Sequence, residues 1–216
     1  MIELHTHTVY SDGKLLPSSL ARRAQVLEYR ALVLSDHADC TNFDWILGQQ
    51  SQGLKSLGMF SGLDLFLGLE LTHVPPPLME DVAHAARAAG AQILLAHGES
   101  LADTVAPGTN LAAIEAGVDI LAHPGLMSLE DACAAAERGV LLEISCRAGH
   151  CLSNGHVLKM ARKAGAEVVL GGDVHSAKDL TTRQQRRCIA LGAGMSEEEV
   201  LGAERAADNL VQRLLV

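Results

Sequence analysis

The sequence predicts an α/β fold: a closed or distorted (β/α) barrel of TIM-barrel type is the first choice, and an open doubly wound sheet is the alternative. Seven short apolar runs alternate with longer amphipathic stretches, which is the pattern of a parallel sheet with helical crossovers. Six of these runs carry a histidine, aspartate or glutamate at or just beyond their carboxyl end. Barrel enzymes build their active sites at that end of the strands.

The seven apolar runs have the length of buried strands and cover residues 2–4, 31–35, 65–71, 92–96, 119–122, 140–144 and 167–171. Amphipathic patterns between them predict helices over 17–29, 45–57, 78–89, 110–116, 128–138 and 155–164. Further helices are predicted within 177–216, where Ser196 and Glu199 have the spacing of a capping box. No linker, repeat or low-complexity stretch divides the chain, so residues 1–216 are expected to form one domain.

The composition limits the classes of function. Only 3% of the 216 residues are aromatic while 48% are hydrophobic, so the core must be aliphatic. A net charge of −9 argues against a long polyanion such as DNA, but bound metal ions would reverse the sign locally for a small phosphate ester. The five cysteines form no C-x-x-C pair and are expected to be reduced. Because no signal peptide or membrane-length apolar run is visible, we expect a cytoplasmic protein.

The residues at the strand ends have the side chains of metal ligands. In chain order they are His5 and His7, Asp36 and His37, Glu70, His97, His123, and Asp173 and His175. Side chains two apart on a strand point to the same side, so His5 and His7 form one pair, and Asp173 and His175 form another. A turn signal at 11–13 brings Asp12 to the same mouth. Imidazole and carboxylate together favour Zn²⁺, Mn²⁺ or Fe²⁺ over Ca²⁺.

An ordered set of motifs resembles the PHP family, which is named for polymerase and histidinol phosphatase. The motifs are His5-Thr-His-Thr-Val-Tyr-Ser-Asp-Gly13, Leu34-Ser-Asp-His37, Gly68-Leu-Glu70, His97, Ala122-His-Pro-Gly125 and Gly172-Asp-Val-His175. The H-x-H alone is a weak signal, but the ordered set is specific and spans residues 5–175. The resemblance implies a distorted seven-stranded (β/α)7 barrel, in agreement with the seven units counted above.

The resemblance also implies a cluster of two or three divalent metal ions (Zn, Mn or Fe). Carried over residue by residue, the ligand sets are His5, His7, Glu70 and Asp173 for one ion, His97 and His123 with a bridging Glu70 for the second, and Asp12, His37 and His175 for the third. All nine positions hold a residue that can ligate a metal. Some family members have histidine in place of Asp12, and either residue can bind.

The activity implied by the resemblance is hydrolysis of a small-molecule phosphate ester of the histidinol-phosphate type, with a metal-bound hydroxide as the nucleophile. Clustered cations lower the pKa of a bound water and neutralise the phosphate oxygens. Glu70, Asp173 and His175 are the residues expected to carry the catalysis. The partner is therefore expected to be a small phosphorylated molecule.

Residues after the sixth strand are predicted to complete the site. Arg147 and His150, in Ser145-Cys-Arg-Ala-Gly-His150, are predicted to bind the substrate, with the guanidinium gripping two phosphate oxygens. Glu143, in the strand itself, either orients a ligand or belongs to a core network. Candidates for the rim are His73, Ser176 and Lys178. The loops 40–62 and 98–110 are expected to shape the pocket.

Three other functions remain open on the sequence alone. Amidohydrolase-type deaminases and amidases also begin with H-x-H, but commonly use a bridging modified lysine where this chain has Glu70. A phosphodiesterase acting on nucleotides or nucleic-acid ends ranks lower, because no basic stripe or stacking aromatic residues are evident. A non-catalytic metal-binding module would be indicated by a degraded ligand set, which the sequence does not show.

Overall fold

A computed structural model describes residues 1–57 and 62–215, and in it parallel strands form a nearly closed barrel. The strands are β1 (Ile2–Glu3), β2 (Ala31–Leu34), β3 (His37–Ala38), β4 (Asp64–Leu71), β5 (Ile93–His97), β6 (Ile120–Ala122), β7 (Leu141–Ser145) and β8 (Val168–Gly171). Around the barrel they follow the order β1-β2-β4-β5-β6-β7-β8, and the short β3 pairs with β4. The predicted seven-stranded barrel is therefore confirmed, and the open sheet is excluded.

Helices follow the strands and cover the outside of the barrel. They are α1 (Pro17–Val26), α2 (Phe43–Leu57), α3 (Met79–Ala88), α4 (Thr109–Glu115), α5 (Leu129–Arg138), α6 (Asn154–Ala164), α7 (Arg183–Gly192) and α8 (Glu197–Gln212). The capping box predicted from Ser196 and Glu199 opens α8. Of the segment 40–62, residues 58–61 lie outside the described part. Across the described residues, no helix combines the length and apolarity needed to cross a bilayer.

Three local features differ from the sequence predictions. The first helix ends at Val26 instead of residue 29, because Glu28 adopts a left-handed backbone (φ 59°) that turns the chain and buries Tyr29. The two-residue strand β3 is too short to show an alternating pattern, so it was not predicted. Residues 177–182 are not helical, since α7 begins only after the capping side chain of Thr182.

The core is aliphatic, as the composition requires. Side chains such as Leu4, Val33, Leu95 and Val169 fill the barrel interior, and α8 contributes Leu210 to the same cluster. A second and larger cluster packs between the sheet and the surrounding helices. Apolar filling of the interior leaves the carboxyl ends of the strands as the place where polar side chains gather.

The barrel closes between its first and last strands. Just beyond β1 and β8, the peptide N–H of His7 donates to the carbonyl of Val174 over 2.8 Å. The fully buried carboxylate of Glu3 accepts hydrogen bonds from the peptide N–H of Gly172 (2.8 Å) and of His5 (3.2 Å). The guanidinium of Arg186, on α7, contacts this carboxylate and donates to the carbonyl of Ile2 over 2.9 Å. The Glu3–Arg186 pair therefore holds α7 against the junction between the first and last strands of the barrel.

We expect Arg186→Leu to lower the free energy of unfolding by about 3–5 kcal/mol, because it leaves the buried Glu3 carboxylate without a counter-charge. Arg183→Leu on the same helix is the matched control. Arg183 pairs with Glu204 at 2.9 Å while 64% exposed, and such pairs contribute at most about 1 kcal/mol. Denaturant unfolding of both variants is the measurement. Equal losses in the two variants would contradict the role given to the buried pair.

Candidate metal centre

The nine predicted metal ligands all lie together at the carboxyl ends of the strands. The loop after β1 supplies His5, His7 and Asp12, β3 and β4 supply His37 and Glu70, and later strand ends supply His97, His123, Asp173 and His175. His5 and Glu70 are fully buried, while Asp12 is the most exposed of the nine, with 59% of its side chain in solvent. The nine side chains thus extend from the buried interior of the barrel to its solvent-exposed mouth.

Glu70 lies between two groups of imidazoles. Its Oε2 is 3.3 Å from Nε2 of His5 and 3.5 Å from Nε2 of His7, whereas its Oε1 is 3.3 Å from Nε2 of His123. Two ligand atoms that share one ion at about 2.1 Å each lie roughly 3–3.5 Å apart. Each carboxylate oxygen is therefore placed to share an ion with a different set of imidazoles, as a bridging ligand would.

Two further groupings surround this carboxylate. Oδ1 of Asp173 lies 3.2 Å from Nε2 of His7 and 3.7 Å from Nε2 of His5. On the solvent side, Oδ1 of Asp12 lies 3.1 Å from Nε2 of His175 and 3.6 Å from Nε2 of His37. The first and third ligand sets implied by the resemblance are thus each brought together in space.

The remaining set contains one more imidazole than the sequence predicted. Potential donor nitrogens of His97, His123 and His150 all lie within 4.8 Å of one another. From the sequence, His150 was expected to bind the substrate, whereas its ring here lies beside two predicted metal ligands.

Buried polar atoms without partners concentrate at this cluster. Within the described residues they are Nε2 of His5, both ring nitrogens of His7, both carboxylate oxygens of Glu70, Nδ1 of His123, Oδ1 of Asp173 and, elsewhere, Oε1 of Gln50. A buried polar atom that lacks a hydrogen bond carries a free-energy cost, so nearly all such atoms in proteins are paired. Divalent cations would satisfy the carboxylate oxygens together with Nε2 of His5 and of His7, so this donor set fits bound metal.

The local electrostatics keeps several of these groups in the form that binds metal. Burial opposes ionisation of Glu70, but the imidazoles of His5 and His37 outweigh it and hold the pKa of this carboxyl well below its usual range. Burial lowers the pKa of His7 to about 3, which leaves its imidazole neutral. At His175, burial is outweighed by the carboxylates of Asp12 and Asp173, which raise its pKa to about 9. A cation at the third set therefore competes with a proton.

Hydrogen bonds behind the ligands fix the orientation of three imidazoles. Nδ1 of His5 donates to Oε1 of Glu143 (2.7 Å), and Nδ1 of His97 donates to the carbonyl of Gly98 (3.1 Å). Nδ1 of His37 lies 2.7 Å from the hydroxyl of Thr72. The other ring nitrogen of each is left for a metal. Glu143 therefore contacts a predicted ligand, as the first of its two possible roles requires. Thr72 was missed, although it follows Glu70 by two residues.

Asp36 has a different structural role from its neighbour His37. Its carboxylate accepts hydrogen bonds from the peptide N–H (2.6 Å) and hydroxyl (2.8 Å) of Thr8 and from the hydroxyl of Ser11 (2.8 Å). These bonds hold the loop that carries Asp12. The sequence located Asp36 at a strand end but gave no sign that it organises a loop.

Backbone strain also concentrates at the mouth. Four non-glycine residues of the described chain have positive φ, and three of them, His73 (54°), His123 (30°) and Asp173 (46°), lie at the site. Such conformations carry a free-energy cost and persist where surrounding contacts impose them, most often at functional sites. Two of the three strained residues, His123 and Asp173, belong to the cluster of predicted ligands.

A cavity of about 480 Å³ opens over the cluster, and its walls include Arg147 and His150 as predicted. The loops 40–62 and 98–110 contribute Asn42 and Asp103, so both shape the pocket. Of the three rim candidates only His73 lines the cavity. Ser176 instead bonds to the carboxylate of Asp179, and Lys178 is exposed.

Arg147 lies over the ligands with its guanidinium half-buried. Nη1 donates to the carbonyl of Asp173 over 2.9 Å and contacts the ring of His175, while Nε is 3.5 Å from Oδ2 of Asp173. Among the described residues, Nη2 has no partner, so this edge of the fork is free to meet a substrate.

The chain has the barrel fold found in metal-dependent hydrolases. It resembles ochratoxinase of A. niger (TM-score 0.61, 14% identity, 94% of this chain and 68% of that one) and the Arabidopsis ADAL complex with IMP (0.60, 14%, 97% and 91%). It also resembles a Bifidobacterium adolescentis protein described provisionally as a metal-dependent phosphoesterase (0.50, 18%, 91% and 97%). Identities this low establish the fold alone.

A sequence relative defines the family more closely. The chain is 38% identical over 200 residues to the uncharacterized protein MJ1295 of Methanocaldococcus jannaschii, and the match covers 92% of both chains. The protein belongs to the family of that archaeal protein. No family model matches the chain.

Metal content tests the cluster directly. Protein purified without chelator and supplemented with Zn²⁺, Mn²⁺ or Fe²⁺ is expected to hold two or three equivalents, because the nine ligands exceed what one ion can use. Elemental analysis measures the content, and removal of the ions should lower the melting temperature, since a preformed set of ligands binds them more tightly than the unfolded chain does. A folded, supplemented sample with one equivalent or fewer would contradict the cluster.

Proposed function

We propose that this protein is a PHP-type metal-dependent phosphoesterase that hydrolyses a small-molecule phosphate ester. The observation that carries the proposal is the placement of Glu70, whose two oxygens face different imidazole sets. His123, which one of these oxygens faces, lines the same cavity as Arg147. A bridged pair of cations with a guanidinium beside it is the arrangement that the three charged oxygens of a phosphate ester need.

The proposed ligand sets are those that the resemblance implies. His5, His7, Glu70 and Asp173 would hold one ion, His97 and His123 with Glu70 a second, and Asp12, His37 and His175 a third. When bound, such cations supply Lewis-acid activation of water and neutralise phosphate oxygens. Glu70 is expected to set the spacing of the first two sites, and the hydrogen bond from His5 to Glu143 keeps the His5 ring in position.

The rest of the cavity selects the substrate. Arg147 is the only arginine or lysine among the described residues that line it, while Asp12, Asp103 and Asp173 contribute negative charge. Without cations these carboxylates would repel a phosphate, so substrate binding should require the metals. A cavity of about 480 Å³ matches a small metabolite in size.

A second candidate is a phosphoesterase that acts on nucleotides. Tyr10 and Trp45 form an edge-to-face pair 5.9 Å apart at the mouth, next to Ser11 on the cavity wall, and Trp45 is 53% exposed. Exposed aromatic rings stack on nucleobases, which contributes about 1–3 kcal/mol per base.

Amide hydrolysis or deamination is the contrasting reaction. Several proteins of similar fold are named for such chemistry, including a Xaa-Pro dipeptidase. Amidohydrolase-type enzymes commonly use a bridging modified lysine, whereas this chain offers Glu70, and no lysine lines the cavity in the described part of the chain.

A substrate panel tests these alternatives. Phosphate monoesters that include histidinol phosphate, nucleotides, phosphodiesters, dipeptides and purine nucleotides with an amino group are incubated with protein loaded in turn with Zn²⁺, Mn²⁺ and Fe²⁺. We expect metal-dependent release of phosphate from a small monoester or cleavage of a small diester. Turnover confined to amides or amines would replace the proposal with the contrasting reaction.

Glu70→Gln should abolish most of the turnover with little change in circular dichroism, because an amide bridges two cations far less well than a carboxylate. Glu80→Gln on the exposed start of α3 is the control and should retain both turnover and metal content. Turnover on the validated substrate and metal equivalents are measured for both variants. Near-normal turnover in Glu70→Gln would exclude the bridging role.

Arg147→Ala should lower kcat/KM about ten- to a hundred-fold. A charge-assisted contact of this kind contributes about 1.5–3 kcal/mol, and each 1.4 kcal/mol is roughly a factor of ten in rate. Arg147→Lys should recover only part of the loss, because a point charge lacks the guanidinium fork. Metal content should not change, and Arg138→Ala on the exposed end of α5 should behave like the parent. Parent-like kinetics in Arg147→Ala would disprove phosphate binding by this residue.

A further inference from the structure

We propose that His150 is a metal ligand: with His97 and His123 it forms a three-imidazole site for the ion that Glu70 shares, and Ser100 fixes its ring. The inference deepens the proposed function, since it rests on the same metal cluster. It reassigns a residue that the sequence predicted to bind the substrate.

The first argument is the position of the ring. His150 begins the short 3-10 helix His150–Ser153 directly after the loop that follows β7. Its ring stacks on that of His123 with centroids 4.1 Å apart, and the centroid of His97 is 5.8 Å away. The three rings place donor nitrogens within 4.8 Å of one another, which is close enough for small side-chain rotations to bring them around one ion.

The second argument is the direction of the ring nitrogens. Nδ1 of His150 lies 2.6 Å from the hydroxyl of Ser100, a residue only 6% exposed. With Nδ1 engaged on this side, Nε2 faces the cluster and lies 3.7 Å from Oδ2 of Asp173. Metal-binding histidines in proteins show the same division, in which one nitrogen is held by a hydrogen bond and the other binds the ion.

The third argument is that two loops are packed together to make this contact. Gly149 adopts φ 91°, and a Cβ on it would lie 3.3 Å from Cβ of Ala102. The hydroxyl of Ser100 also accepts a hydrogen bond from the peptide N–H of Ala102 over 3.2 Å. Ser100 is therefore fixed by its own loop before it engages His150, and the imidazole is positioned in advance.

The chemical consequence concerns the number of ligands. Three imidazoles and one oxygen of Glu70 make four protein ligands, which is a complete tetrahedral set for Zn²⁺. Sites with a complete set of protein ligands are characteristic of ions that are held permanently. The ion of this site should accordingly be about as difficult for a competing chelator to remove as the ion of the first set, which also has four protein ligands.

The test measures metal binding without any substrate. His150→Ala, Ser100→Ala and the matched control Arg147→Ala are loaded with Zn²⁺ or Co²⁺ and dialysed against a competing chelator. Arg147 lines the same cavity and lies on the same loop, but a guanidinium does not ligate cations. Metal equivalents and the visible absorption of the Co²⁺ forms are recorded, and circular dichroism monitors the fold.

We expect His150→Ala to lose one tightly held equivalent and to show an altered Co²⁺ spectrum. Ser100→Ala should keep the ligand but bind that ion about ten-fold more weakly, as removal of an orienting hydrogen bond typically does. Arg147→Ala should match the parent in both measurements. His150→Cys restores a ligand by a different atom and should bind the ion again, with a new thiolate-to-cobalt charge-transfer band.

Parent-like metal affinity and Co²⁺ spectrum in His150→Ala would overturn the proposal and return His150 to the substrate. Should the alanine variant not fold, the cysteine variant decides, because the absence of a charge-transfer band in a Co²⁺-loaded, folded protein also contradicts ligation. These outcomes are independent of the phosphoesterase proposal. A panel without turnover would leave the metal-binding results unchanged, and the loss of this ligand would not decide the substrate.

Discussion

The burial of two carboxylates among imidazoles is the constraint on which the rest of the structure depends. Oxygens of Glu70 and Asp173 lie in the interior without hydrogen-bond partners among the described residues, and nitrogens of His5 and His7 share that condition. Bound cations would offset the free-energy cost of burying these polar atoms. The fold must then hold the ligand atoms at the distances found between neighbours in one coordination shell. A barrel of parallel strands meets this need, because every strand delivers its last side chains to the same end.

A second layer of carboxylates supports the first from behind. Glu143 holds His5 and accepts the peptide N–H of His123, while Glu3 accepts the N–H of Gly172 at the barrel seam. Both acids lie against β8 and the residue that follows it, where a side chain at Gly171 would overlap Glu143 and one at Gly172 would overlap Glu3. The paired glycines therefore make room for the groups that position the ligands.

The sequence predicts the features that follow from a regular pattern, namely the strand ends and the faces of each strand. Strand ends and the i, i+2 spacing brought nine ligand candidates to one mouth, and the structure places all nine there. It was insufficient where a contact depends on how a loop is folded. Ser100 meets His150 across 50 residues, and Asp36 reaches back to Thr8 and Ser11. No hydropathy pattern predicts such contacts between distant residues, since they depend on the path that each loop takes after its strand.

The closure between the first and last strands affects the order of events during synthesis. His5 and His7 leave the ribosome before Asp173, which faces the same position but follows about 170 residues later. A growing chain can present only a fragment of the first ligand set until β8 docks beside β1 and the ends of this long loop are brought together, which costs entropy. A cation held by the proposed first set would therefore bind fully only after the last strand is in place, so its acquisition would mark completion of the barrel.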